Sequence, residues 1–91
     1  MQTDEERVDE DIRVAKFYEG KGDLNAAYLR LQDAVKSMPN DSESHYSLAR
    51  IAQQMNKKDE AIAEYKLYLH IEPDALNAKK AQKALNQLEG H

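Results

Sequence analysis

The sequence repeats itself after thirty-four residues, and no other property restricts its fold as strongly. Shifted by that amount, Val14 falls on Leu48, Ala15 on Ala49, Phe17 on Ile51 and Ala27 on Ala61. Leu31 falls on Tyr65, Val35 on Leu69 and Pro39 on Pro73. Size and polarity are kept at each pair. A unit of this length is one supersecondary element whose apolar face can be covered only by its neighbours. A small residue in its middle and a proline at its end describe two helices joined by a turn.

The local signals agree with that unit. Thr3-Asp4-Glu5-Glu6 is a capping box, a hydroxyl cap with a carboxylate three residues on. Acidic residues crowd the following turns, where the positive end of the helix dipole favours them. Val8, Ile12, Val14, Ala15, Phe17 and Tyr18 then follow helical spacing up to Gly20-Lys21-Gly22, with Gly22 as a left-handed turn residue and Asp23 as the next cap. A second helix over about residues 24–37 buries Leu24, Ala27, Tyr28, Leu31, Ala34 and Val35, and Pro39 ends it. A third over about 42–54 presents Leu48, Ala49, Ile51, Ala52 and Met55; Asn56 stands where the first unit has Gly22, the side chain best suited to positive φ. A fourth over about 58–70 packs through Ala61, Ile62, Tyr65, Tyr68 and Leu69. Asp74 is expected to cap a fifth from about Ala75 to Leu88 with a narrow apolar stripe.

The expected architecture is therefore all-α: five helices in antiparallel helix-turn-helix pairs, a fragment of a right-handed α-solenoid. It forms one domain over residues 1–91, with repeats at 8–41 and 42–75 and a capping helix at 76–89. Two repeats fall short of the three or so that such stacks need, so the capping helix, dimerisation or further repeats must compensate.

These residues resemble the tetratricopeptide repeat family. In the first unit the resemblance rests on Val14, Ala15, Tyr18, Gly22, Ala27, Leu31, Ala34 and Pro39; in the second it rests on Leu48, Ala49, Ala61, Tyr65 and Pro73. Asp11 and His45 depart from it where an aromatic or large residue is usual, Ala52 replaces a large aromatic, and Tyr68 replaces a small residue. A tyrosine there should push the fifth helix outward or tilt it. The resemblance implies a protein-interaction scaffold, not an enzyme, with a peptide groove lined by the first helix of each pair. Carried over by position, the groove comprises Asp9, Ile12, Arg13, Lys16 and Glu19, then Glu43, Tyr46, Arg50, Gln53 and Gln54, and finally Asn77, Lys80 and Ala84. Lys16 with Arg50 makes a cation ladder beside an apolar ladder of Ile12 with Tyr46, which suits an extended acidic peptide or a C-terminal carboxylate. Solvation alone also selects charged residues on such a face. Members that clamp a chaperone's terminal carboxylate use a lysine and an asparagine where this chain has Ile12 and Lys16, so that activity is not implied.

Several chemistries are excluded by what the chain lacks. There is no cysteine, and His45, His70 and His91 have no ligand partner at zinc spacing. Gly20-Lys21-Gly22 is not a phosphate loop, and no serine, histidine and acid form a triad, so neither a catalytic group nor a cofactor or metal site is expected. A net charge of −4 argues against general nucleic-acid affinity. No apolar run is long enough to insert in a membrane, which makes the cytoplasm the default, with the bacterial periplasm or envelope as the alternative for a piece of a longer exported chain. The expected partner is a protein or peptide, with self-association as the rival. An acidic N-terminal end and a basic C-terminal helix carrying Lys79, Lys80 and Lys83 would pair head to tail.

Overall fold

A computed structural model describes residues 1–90. Five helices follow one another: α1 Asp4–Gly20, α2 Leu24–Ser37, α3 Ser42–Gln54, α4 Lys58–Ile71 and α5 Ala78–Glu89. Among the described residues there is no strand. α1 packs on α2 and α3 on α4 as tight antiparallel hairpins; α2 meets α3 between them, and α5 lies on α4. The molecule is elongated, 45 × 28 × 19 Å, as stacked helix pairs must be.

The turns show why the two hairpins are alike. At the end of α1 the Asp23 N–H donates to the Tyr18 carbonyl at 2.9 Å and the Gly22 N–H to Glu19 at 3.0 Å. At the end of α3 the Lys57 N–H donates to Ala52 at 2.9 Å and Asn56 to Gln53 at 3.1 Å. Both are Schellman closures, which need one residue at positive φ. Gly22 supplies it at 80° and Asn56 at 60°. Thr3, Asp23 and Asp41 each cap the following helix with a side-chain oxygen that accepts a backbone N–H.

The same economy fails before α5. After α2 the chain turns with Asp41 N–H donating to Met38, and Asp41 then caps α3. After α4 the equivalent turn runs from Ala75 to Glu72, and alanine has no side chain with which to cap. Asp74, expected as that cap, does not serve; α5 begins only at Ala78, with Asn77 before it and no side-chain cap. The Asn77 N–H donates instead to the Tyr68 hydroxyl at 3.0 Å. Tyr68, almost completely buried, thus holds the connection with its hydroxyl while its ring fills the space a small residue would leave open.

The apolar interior has two parts. Val8, Ile12, Ala15, Ala27, Leu31, Ala34, Leu48 and Ile51 join the first hairpin to α3. Ala49, Ala52, Ala61, Tyr65, Tyr68, Ala81 and Leu85 join α3, α4 and α5. Ala27 and Ala61 have no exposed surface at all, so the helices cross closely at both.

Two charged groups enter this interior at equivalent positions. Asp11 is buried and accepts a hydrogen bond from Arg30 of α2 at 3.0 Å. His45, thirty-four residues on, is buried and faces Glu64 of α4, the position equivalent to Arg30. Each hairpin therefore carries one ion pair between its helices, with the charges exchanged.

Candidate functional site

Two adjoining clefts that share Glu43 lie across α1, α3 and the α4–α5 connection. The smaller, about 170 Å³, lies between α1 and α3 and is lined by Asp9, Ile12, Arg13, Lys16 and Glu43. The larger, about 390 Å³, runs from Asp41, Ser42, Glu43 and Tyr46 on α3 and its approach to Tyr68 and Glu72, and on to Ala75, Leu76 and Asn77. Helical spacing accounts for the first wall, because Asp9, Arg13 and Lys16 recur every three or four residues along α1. The delayed start of α5 accounts for the second, since the uncapped segment before Ala78 opens a cleft and leaves Leu76 97% exposed at its edge.

The charge is uneven along these clefts: cations stand only at the α1 end, where they share the lining with Asp9 and Glu43, and only carboxylates among the charged residues line the other. Arg13 and Lys16 stand at one end, and neither forms a salt bridge among the described residues. Asp41, Glu43 and Glu72 line the other, where no cation does. Their carboxylates are partly engaged: Asp41 accepts from Ser44 N–H at 3.0 Å, and Glu72 from the Ser42 hydroxyl at 2.8 Å. Tyr46 lines the second cleft, its ring 4.9 Å from Tyr68 and 6.1 Å from Tyr65, with the edge-on and tilted geometries aromatic pairs prefer.

The residues expected to line a groove are distributed unevenly. Ile12, Arg13, Lys16, Tyr46 and Asn77 do line the clefts, although Ile12 is only 4% exposed and belongs chiefly to the interior. Arg50 differs most from expectation. Its guanidinium donates two hydrogen bonds to Glu19, at 2.8 and 3.3 Å, so the expected ladder with Lys16 has one rung already neutralised. Gln54 donates to the same carboxylate at 2.9 Å. Burial pushes the Glu19 carboxyl up, but the hydrogen bonds from Gln54 and Arg50, with the charges of Arg50 and Lys16, outweigh it and leave the pKa below the ordinary value. This network ties α1 to α3. Gln53 accepts from the Tyr65 hydroxyl at 2.7 Å. Burial, then the neighbouring Tyr46, push that phenol up to about 12. Lys80 lines a separate depression beside Pro73, and Ala84 packs with the α3–α5 interior.

The sequence reading missed Tyr68, Glu72 and Leu76 as cleft residues. Tyr68 carried a signal, a large residue where the repeat prefers a small one. Leu76 and Glu72 carried none, because their exposure follows from where α5 fails to begin. Among the described residues no group of histidines and carboxylates is arranged to hold a metal ion, and no helix is long and apolar enough to cross a membrane.

A family model described as tetratricopeptide repeat matches residues 19–88. No curated protein matches the chain.

Proposed function

Because the chain belongs to the tetratricopeptide repeat family, whose repeats generally mediate protein–protein interaction or scaffolding, we propose that it binds an extended peptide segment of a partner protein along α1, α3 and the α4–α5 connection. The acidic ligand expected from the cation ladder becomes a segment of mixed sign. Its carboxylate side chains lie against Arg13 and Lys16, and a lysine or arginine with an apolar neighbour occupies the Tyr46–Tyr68 cleft between Asp41, Glu43 and Glu72. The observation that carries this reading is the uneven charge of two adjoining clefts, with Arg13 and Lys16 in one, only carboxylates among the charged residues of the other, and Tyr46 in the second. A guanidinium or ammonium placed over Tyr46 would gain from the ring as well as from the carboxylates.

The test is a binding titration by fluorescence anisotropy with three labelled peptides of equal length: acidic, basic, and acidic followed by basic. The mixed peptide should bind tightest. Arg13→Glu with Lys16→Glu should weaken it by roughly tenfold, as should Glu43→Lys with Glu72→Lys, because each change sets like charges against the ligand. Equal affinity for the mixed peptide and its scrambled form, or indifference to both double variants, would refute the proposal.

A further inference from the structure

The two hairpins show what the outer face of α1 is built to do. α3 packs onto the first hairpin through Ser44, Leu48, Ile51 and Met55: Ser44 is fully buried, Leu48 and Ile51 belong to the shared interior, and Met55 packs against it. Thirty-four residues earlier, the same stripe on α1 is Glu10, Val14, Phe17 and Lys21. No helix covers it. Ile51 is 1% exposed, but its equivalent Phe17 is 59% exposed, with the Lys21 ammonium 5.1 Å above its ring and the neighbouring Tyr18 ring edge-on at 5.6 Å. The opposite end of the molecule is finished, since α5 turns Ala81 and Leu85 inward and leaves Lys79, Lys80, Gln82 and Lys83 outward.

Two occupants suit such a stripe, and its end residues separate them. A helix with the chemistry of α2, which meets α3 through apolar side chains, would bury Glu10 and Lys21 where α3 offers it Ser44 and Met55. Glu10 accepts from the Gln2 amide and Lys21 lies over the Phe17 ring, but neither forms a salt bridge among the described residues, and burying two charges so weakly compensated is costly. A second copy of the same stripe gives both charges a partner. Set antiparallel about a two-fold axis between Ala15 and Lys16, Val14 meets Phe17 of the second copy, and Glu10 meets its Lys21. The parallel arrangement would set Glu10 on Glu10 and Lys21 on Lys21.

We propose that the Glu10–Val14–Phe17–Lys21 stripe of α1 is the contact face of a two-fold symmetric dimer of this chain, with the two α1 helices antiparallel. Such a contact is self-complementary and closes at two subunits, whereas pairing of the acidic and basic ends would continue into longer assemblies.

The test is sedimentation equilibrium over a wide range of protein concentration at low salt, with circular dichroism to confirm equal helicity of every variant. The expected mass rises to twice the 10.4 kDa of the chain and no further. Phe17→Glu, at an exposed position, should leave a monomer of unchanged helicity. Glu10→Lys and Lys21→Glu should each weaken the dimer by roughly three- to tenfold, and together they should restore it, because the exchanged pair again has opposite signs. A monomer at every concentration would overturn the proposal, as would a dimer indifferent to Phe17→Glu. Open-ended growth abolished by Lys79→Glu with Lys83→Glu, or a double exchange that fails to restore the dimer, would overturn it too.

Discussion

The buried His45 makes the stability of the second hairpin depend on pH, in a direction the geometry fixes. One ring nitrogen faces the Glu64 carboxylate and the other the Pro39 carbonyl, at 2.6 Å. Both partners accept, so both nitrogens must donate, and only the imidazolium can do so. The hydrogen bond that His45 donates to Glu64 raises the pKa, burial opposes it, and the Pro39 carbonyl and the charges of Glu64 and Asp41 add to the rise. Asp41 itself caps α3 two residues after Pro39, so the end of α2, α3 and α4 all meet at this imidazole. The unfolded chain releases its proton near pH ~6.5, but the folded one holds it to higher pH. The stabilisation is complete below ~6.5 and is lost as pH rises through the folded value. A neutral ring leaves one buried acceptor facing a lone pair, a cost of about 1–3 kcal/mol. In a domain of this size that lowers the melting temperature by roughly 5–20 °C. Glu64→Gln supplies the control, because its amide can donate to a neutral imidazole while the other nitrogen still donates to Pro39. Urea denaturation from about pH 6 to about pH 9 should show the natural chain losing stability while Glu64→Gln stays level. Parallel profiles, or a His45 ring that titrates at or below ~6.5 by NMR, would refute the reasoning.

Three further outcomes follow from particular contacts. Tyr68→Phe keeps the ring but leaves the Asn77 N–H without its acceptor, so stability should fall by about 1 kcal/mol and hydrogen exchange should quicken at Asn77 and Ala78. Gly22→Ala should cost about 1 kcal/mol in chemical denaturation, and Asn56→Gly much less, since both sites need positive φ and asparagine is already a compromise there. Ala27→Leu and Ala61→Leu should each cost about 1–3 kcal/mol in thermal unfolding because neither site has any room, and no change in either would show that the hairpins do not cross closely there.

The sequence made legible those features that short stretches of chain decide. The capping box at Thr3, the closures at Gly22 and Asn56 and the cap at Asp41 depend on side chains within a few residues of the backbone they satisfy. The start of α5 was misjudged because Tyr68, nine residues before Asn77, competes for its N–H from another helix. Arg50 looked free because Glu19 lies thirty-one residues away. Asp11 and His45 stood out as departures from a large side chain, but their partners, nineteen residues on in each case, can be recognised only once the helices are seen side by side.

That exchange of signs also bears on how a repetitive chain finds its own partners. Two nearly interchangeable hairpins invite a slip of thirty-four residues, in which α1 folds against α4 instead of α2. The slip would set Asp11 against Glu64 and His45 against Arg30, acid on acid and base on base, with Asp11 and His45 both buried. Had both hairpins carried the same pair, either second helix would have served either first helix. With the polarity reversed, each pair acts as a password between neighbours in sequence, and the chain pairs helices in the order in which they are joined.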